Sequence, residues 1–130
     1  MGWRADLTRD LFRVYETEGA SAFFDRVPED VVWTPMVPGR SFVGREFMEF
    51  LQEEGRRGEA REHQVLEIDE LGEHHVLVSG ALQVRSRDLH VDVQPCWLFR
   101  FADRRLRAMT SYPTRGAALA AFDALPPQER

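Results

Sequence analysis

The chain has no lysine, no asparagine and only one cysteine among its 130 residues. Without lysine, no Schiff base can form on a side chain. Cys96 alone can neither close an internal disulfide nor join a multi-cysteine metal site. Set in a strand among apolar neighbours, it reads as a buried, inert thiol. No apolar run approaches the roughly 20 residues of a membrane span. The N-terminus lacks the charged-then-apolar plan of a signal peptide, so a cytoplasmic location is expected. There is no phosphate-cradling glycine loop and no dinucleotide fingerprint, and no cofactor is expected. The seventeen basic residues, all arginine, are interleaved with twenty-two acids, for a net charge of −5. That leaves no basic stripe for nucleic acid and none for a membrane surface. His74 and His75 are adjacent, so a strand sends them to opposite faces, and His63 stands alone near a strand start. No two-His-plus-carboxylate spacing appears, and no metal site is expected.

What is present is a clear order of elements. The length fits one domain, residues 1–130, with a real core. Trp3, Leu7, Leu11, Val14 and Tyr15 recur at helical spacing and predict a helix from Arg4 to Glu18, broken by Gly19. A short helix, Ala20 to Arg26, ends before Pro28. Val31–Trp33 reads as a short strand, and Thr34–Val43 as a loop punctuated by Pro35, Pro38 and Gly39. A third helix begins near Gly44, buries Phe47, Phe50 and Leu51, and stops at Gly55. Long strands follow over Glu62–Leu71, His74–Arg85, Leu89–Phe101 and Leu106–Tyr112, joined by short turns as in an antiparallel meander. Thr114 then caps an Ala-rich helix that runs through Phe122. The expected class is α+β: a curved antiparallel, partly mixed sheet wrapped around the N-terminal helices, with the helices on one face and the last one closing an end of the pocket.

Several segments carry a resemblance. Pro28-Glu29-Asp30-Val31-Val32-Trp33 looks like an acidic-pair-then-strand entry. Gly44-Arg45-Glu46-Phe47 with Phe50 looks like a third-helix start. Phe99 to Leu106 looks like an aromatic strand, turn and next strand, and Tyr112-Pro113-Thr114 like a closing segment. In this order they resemble the nuclear-transport-factor-like cone fold, in its SnoaL-like polyketide-cyclase and ketosteroid-isomerase-like branch. The resemblance implies a cone-shaped cavity between the concave sheet face and the first helices, and a homodimer formed through the outer sheet face. It also implies an apolar small molecule as ligand. It leaves open whether the domain is a cofactor-free isomerase, cyclase, dehydratase or epoxide-hydrolase-like enzyme, or a non-catalytic carrier or partner-binding module.

The resemblance also fixes where catalytic groups would stand. An isomerase-type base would fall at Thr34, before Pro35, and a cyclase-type acid at Thr114. The carbonyl-polarising tyrosine would fall nearest Phe12, with Tyr15 one turn on. Unassisted, a threonine is no general base near neutral pH. Any acid–base work would therefore use Asp92, His90, Glu16 or Asp25. His90, Asp92 and Gln94 alternate with Val91, Val93 and Pro95, and Trp97, Phe99 and Phe101 continue the apolar register. The apolar face should be concave, which puts His90 and Asp92 outside. Trp97 leads the expected pocket lining, followed by Trp33, Tyr15, Phe12, Tyr112 and Met36. Ser79, Gln83 and Ser111 are the expected polar contacts. Aromatic walls of this kind suit a flat, apolar ligand.

Overall fold

A computed structural model describes residues 2–58 and 60–130. Helices α1 (Trp3–Glu18) and α2 (Ala20–Asp25) lead into β1 (Val32–Thr34), β2 (Phe42–Val43) and α3 (Glu46–Arg56). Strands β3 (Ala60–Leu71), β4 (His75–Ser86), β5 (Leu89–Val93), β6 (Cys96–Ala102) and β7 (Arg105–Tyr112) follow, then α4 (Arg115–Asp123) and a single 3₁₀ turn at Pro127–Glu129. Among the described residues no helix is long and apolar enough to cross a membrane.

The sheet runs β2-β1-β7-β6-β4-β3, with β5 paired to β4 beside β6. All pairings are antiparallel except β1 on β7, which makes the sheet mixed. The expected strand Leu89–Phe101 is two strands. Pro95 has no N–H to give a ladder, and its carbonyl instead accepts from Gly80 N at 3.0 Å. β5 takes the Leu82–Ser86 half of β4 and β6 takes the His75–Ser79 half. The chain therefore changes partner segment, and the sheet curls, at the Gln94–Pro95 break. The β6–β7 turn puts Asp103 and Arg104 at φ 54° and 60°, the paired positive angles of a two-residue hairpin turn. The loop before α3 also holds a strand that its prolines concealed, β2, which pairs with β1.

Two cores flank the sheet. On the concave side Leu11, Phe23, Phe24, Trp33, Val76, Val78 and Phe99 bury against one another beneath α1 to α3. Met48, outside the expected stripe of α3, is its buried residue. On the other side Leu77, Cys96, Leu98 and Ala118 form a second, smaller core with Tyr112, Leu119 and Phe122 packed on it. This corrects the expectation that every helix shares one face. Alternation along β4 sends Val76 and Val78 inward and Leu77 outward, and α4 covers the outward row.

One carboxylate fixes α1 over the concave face. The helix has no capping side chain of its own. Glu70, near the end of β3, accepts from Ala5 N at 3.0 Å and from Arg4 Nη2 at 2.9 Å. Arg4 also donates to the Gly72 carbonyl at 3.0 Å. A carboxylate at a helix N-terminus satisfies an otherwise unpaired N–H and complements the helix dipole. The Ala5 hydrogen bond, then the Arg4 one, hold the Glu70 carboxyl below its usual range.

Candidate functional site

The concave side holds a half-open cavity of about 260 Å3. The last turns of α1 bring Phe12 and Tyr15 to it, α2 brings Phe23, β1 brings Trp33, and β6 brings Trp97. Gly19 ends α1 at φ 93° and donates to the Tyr15 carbonyl at 3.1 Å. That positive φ turns the chain sharply enough for α2 to lay Phe23 against Phe12 and Tyr15. Gly80 serves Trp97 by leaving room instead: a Cβ there would meet the indole ring.

Most of the wall is apolar. The polar groups cluster along β3, where Arg61 and His63 share the inward register. The His63 ring lies 5.9 Å from Tyr15, edge to face, and 5.9 Å from Trp97. Its Nδ1 is buried with no hydrogen-bond partner. Burial first, and the Arg61 guanidinium second, lower the imidazole to about 4, so it is neutral at neutral pH. Burial also raises the Tyr15 phenol, with Arg61 pulling the other way. Across the cavity Trp33 Nε1 is likewise buried without a partner. No described residue lining the cavity is an aspartate or glutamate. Among the described residues no group of three His, Cys, Asp or Glu is placed to hold a metal ion.

Six of the residues expected at a pocket meet here: Trp97, Trp33, Tyr15, Phe12, Met36 and Ser111. Three do not. Ser79 and Gln83 alternate onto the outer face of β4, where Ser79 accepts from Arg115 at 3.0 Å and Gln83 accepts from Arg85 at 2.9 Å. Tyr112 packs on the second core. The four acid–base candidates also stand off the cavity. His90 and Asp92 face each other at 3.4 Å, both largely exposed. Asp25 pairs with Arg45 at 2.6 Å. Glu16 is exposed in a separate groove between α1 and β3. Thr34 meets Ser41 at 2.9 Å, and Thr114 accepts from Ala117 N at 3.0 Å as the cap of α4. α4 itself contributes nothing to the cavity wall, contrary to the closing role expected of it.

Sequence reasoning placed neither Arg61 nor His63 at the pocket, reading His63 as a lone histidine near a strand start. Their signal was the alternation Arg61, His63, Val65, which places all three on one face. It was obscured because β3 begins earlier than expected, and because a bulge between Val65 and Glu67 shifts the parity of everything after it.

The arrangement of cone, helices and outer strands is found in solved structures. An NTF2-like protein from Burkholderia thailandensis superposes with a TM-score of 0.74 at 12% identity, over 97% of this chain and 100% of that one. An LEH-like epoxide hydrolase from M. tuberculosis gives 0.60 at 17% identity, over 93% and 95%. A protein with a ketosteroid-isomerase-like fold from Catenulispora acidiphila, in complex with trimethylamine, gives 0.60 at 16% identity, over 82% and 83%. No protein-family model and no curated protein matches the sequence. The chain thus has the NTF2-like cone fold, shared by SnoaL-like polyketide cyclases and ketosteroid-isomerase-like proteins.

Proposed function

We propose that the protein binds an apolar small molecule inside the cone, as a ligand-holding domain rather than a catalyst of acid–base turnover. The observation that carries this is the aromatic-walled cavity on the concave side of the sheet. A packed interior leaves few voids larger than a water molecule. An engineered apolar cavity of about 150 Å3 already takes up benzene. The cavity here has room for about two fused rings, and its walls suit a flat one. Turnover finds less support. With no carboxylate in the described wall, His63 is the remaining candidate base, and an imidazole held at about 4 is a weak one.

Naphthalene titration, followed by tryptophan emission, tests the reading. Saturable quenching at one site is expected, and Leu82→Trp, which fills the cavity, should abolish it. Absence of saturable quenching in the unsubstituted chain sinks the proposal. A second copy pairing through the outer sheet strip that α4 leaves open belongs to the same reading. That strip carries Gln83, Arg85, His90 and Asp92, so the contact would be polar and salt-sensitive. Sedimentation equilibrium that stays monomeric at high protein concentration would remove the dimer.

A further inference from the structure

We infer that the ligand is a monoanion: a flat apolar body inside the cavity, with a carboxylate held by Arg61 at the mouth. This rests on the binding reading above and adds the charge and orientation of the ligand. Strand register orders this part of the wall in rows. Arg61, Val84 and Val91 stand opposite one another across β3, β4 and β5, and His63, Leu82 and Val93 form the next row. All six side chains line the cavity. Exposure falls along the same direction. Arg61, Val84 and Val91 are partly exposed, whereas Leu82 and Trp97 are each 7% exposed, and Trp33 and Phe99 each 2%. The cavity is therefore dry at its Trp33 and Phe99 end and opens to water at the Arg61 row.

Charge varies along that axis as well. The dry end presents rings and aliphatic side chains, and the full charge in the described wall at neutral pH is the Arg61 guanidinium at the open end. That charge is felt inside, since it acts to lower both the His63 imidazole and the Tyr15 phenol. The planar fork of a guanidinium fits a carboxylate through paired N–H···O bonds. Arg61 can keep a protein partner and still serve, because a guanidinium carries more N–H donors than one carboxylate takes up. Aromatic faces by themselves attract cations. A cation here would meet Arg61, with no aspartate or glutamate in the described wall to balance it. An anion at the rim leaves its apolar body to the rings and keeps water on its outer side, so its charge is never fully desolvated.

The test is calorimetric titration of the full chain at neutral pH with naphthalene, 2-naphthamide, 2-naphthoate and 2-naphthylmethylammonium. The amide matches the carboxylate in shape and lacks its charge. 2-Naphthoate is expected to bind about tenfold tighter than 2-naphthamide, the worth of one charge-assisted hydrogen bond. The gap should close in Arg61→Gln. Equal affinity of carboxylate and amide overturns the inference and leaves the binding reading intact; Arg61 is then a rim residue whose stem covers apolar wall while its head lies in water. A gap that survives in Arg61→Gln overturns the assignment to Arg61. Tighter binding of the ammonium than of the carboxylate overturns the anionic class. Where Arg61→Gln fails to fold, the affinities of the unsubstituted chain still decide between carboxylate, amide and ammonium. Failure of naphthalene itself to bind overturns the binding reading, and this inference with it.

Discussion

His63 and His75 share one electrostatic signature on opposite faces of the same sheet. Both are lowered to about 4, chiefly by burial, and both keep a buried Nδ1 without a partner. Their surroundings differ. His75 is 2% exposed, and its ring meets Phe122 of α4 edge-on at 5.4 Å, inside a filled core. His63 borders an empty volume walled by aromatic rings. A perturbed histidine alone therefore does not mark a site, because close packing on the outer face produces the same signature. The void beside His63 is what separates the two, and a void is a property of packing that no single residue reports.

The largest effect that sharpens this contrast comes from cutting one leucine on each face of β4. Leu77 is fully buried under α4, and Leu82 lines the cavity. Leu77→Ala removes packing and opens a hole in a full core, at a cost of about 2–5 kcal/mol. Leu82→Ala only widens a space already present, so its cost falls nearer the transfer term alone, about 2 kcal/mol, at the low end of that range. Urea unfolding of both variants checks the order. Equal losses would mean that the concave side is packed as tightly as the outer one.

Acid brings the two histidines back together, and ligand should part them. The unfolded chain takes up protons on these side chains as pH falls through about 6.5, whereas the folded chain does so only near 4. The stability they supply is therefore complete above about 6.5 and is lost as pH falls toward 4. Each shift is worth up to about 3 kcal/mol. His63→Gln and His75→Gln should each flatten the acid limb of the unfolding profile. The charges acting on them differ: Arg61 on His63, and Arg100, His74 and Arg4 on His75. Saturating naphthalene should move the imidazole proton resonances of His63, which lines the cavity, and leave those of His75 in place. Movement at His75 alone would put the ligand under α4 instead.

The fold was legible in the sequence because it is written in periodicity. Helical spacing located α1, alternation located the strands, and Thr114 announced the cap of α4 with the bond it makes. The inward run from Val91 through Trp97 to Phe99 was readable for the same reason, since both valines and both aromatics line the cavity. The site was only half legible. Ser79 and Gln83 were placed inward because their parity on β4 could not be fixed without its partners. His63 was read only as a lone histidine near a strand start, and Arg61 was not placed, because the bulge after Val65 breaks the count from the far end of β3. Tyr112 looked like pocket lining until α4 was known to pack on the outer face, and that face is chosen by tertiary contacts, not by any local pattern.

The smallest expected effect is also the most direct check on which face matters. His90 and Asp92 are a histidine–carboxylate pair two residues apart on one strand, and on that ground they looked like an oriented base. Their strand neighbours Val91 and Val93 line the cavity, so His90 and Asp92 must point away from it. In register they lie opposite Arg85 and Gln83 on the outer side of β4. Exposed pairs at 3.4 Å contribute little, because water screens the charges and holding the side chains costs entropy. Asp92→Asn should leave the urea midpoint and the affinity for naphthalene unchanged, while Leu82→Trp abolishes that binding. A loss of affinity in Asp92→Asn with the midpoint preserved would move the binding site to the outer face. The cavity would then be a packing defect rather than a site.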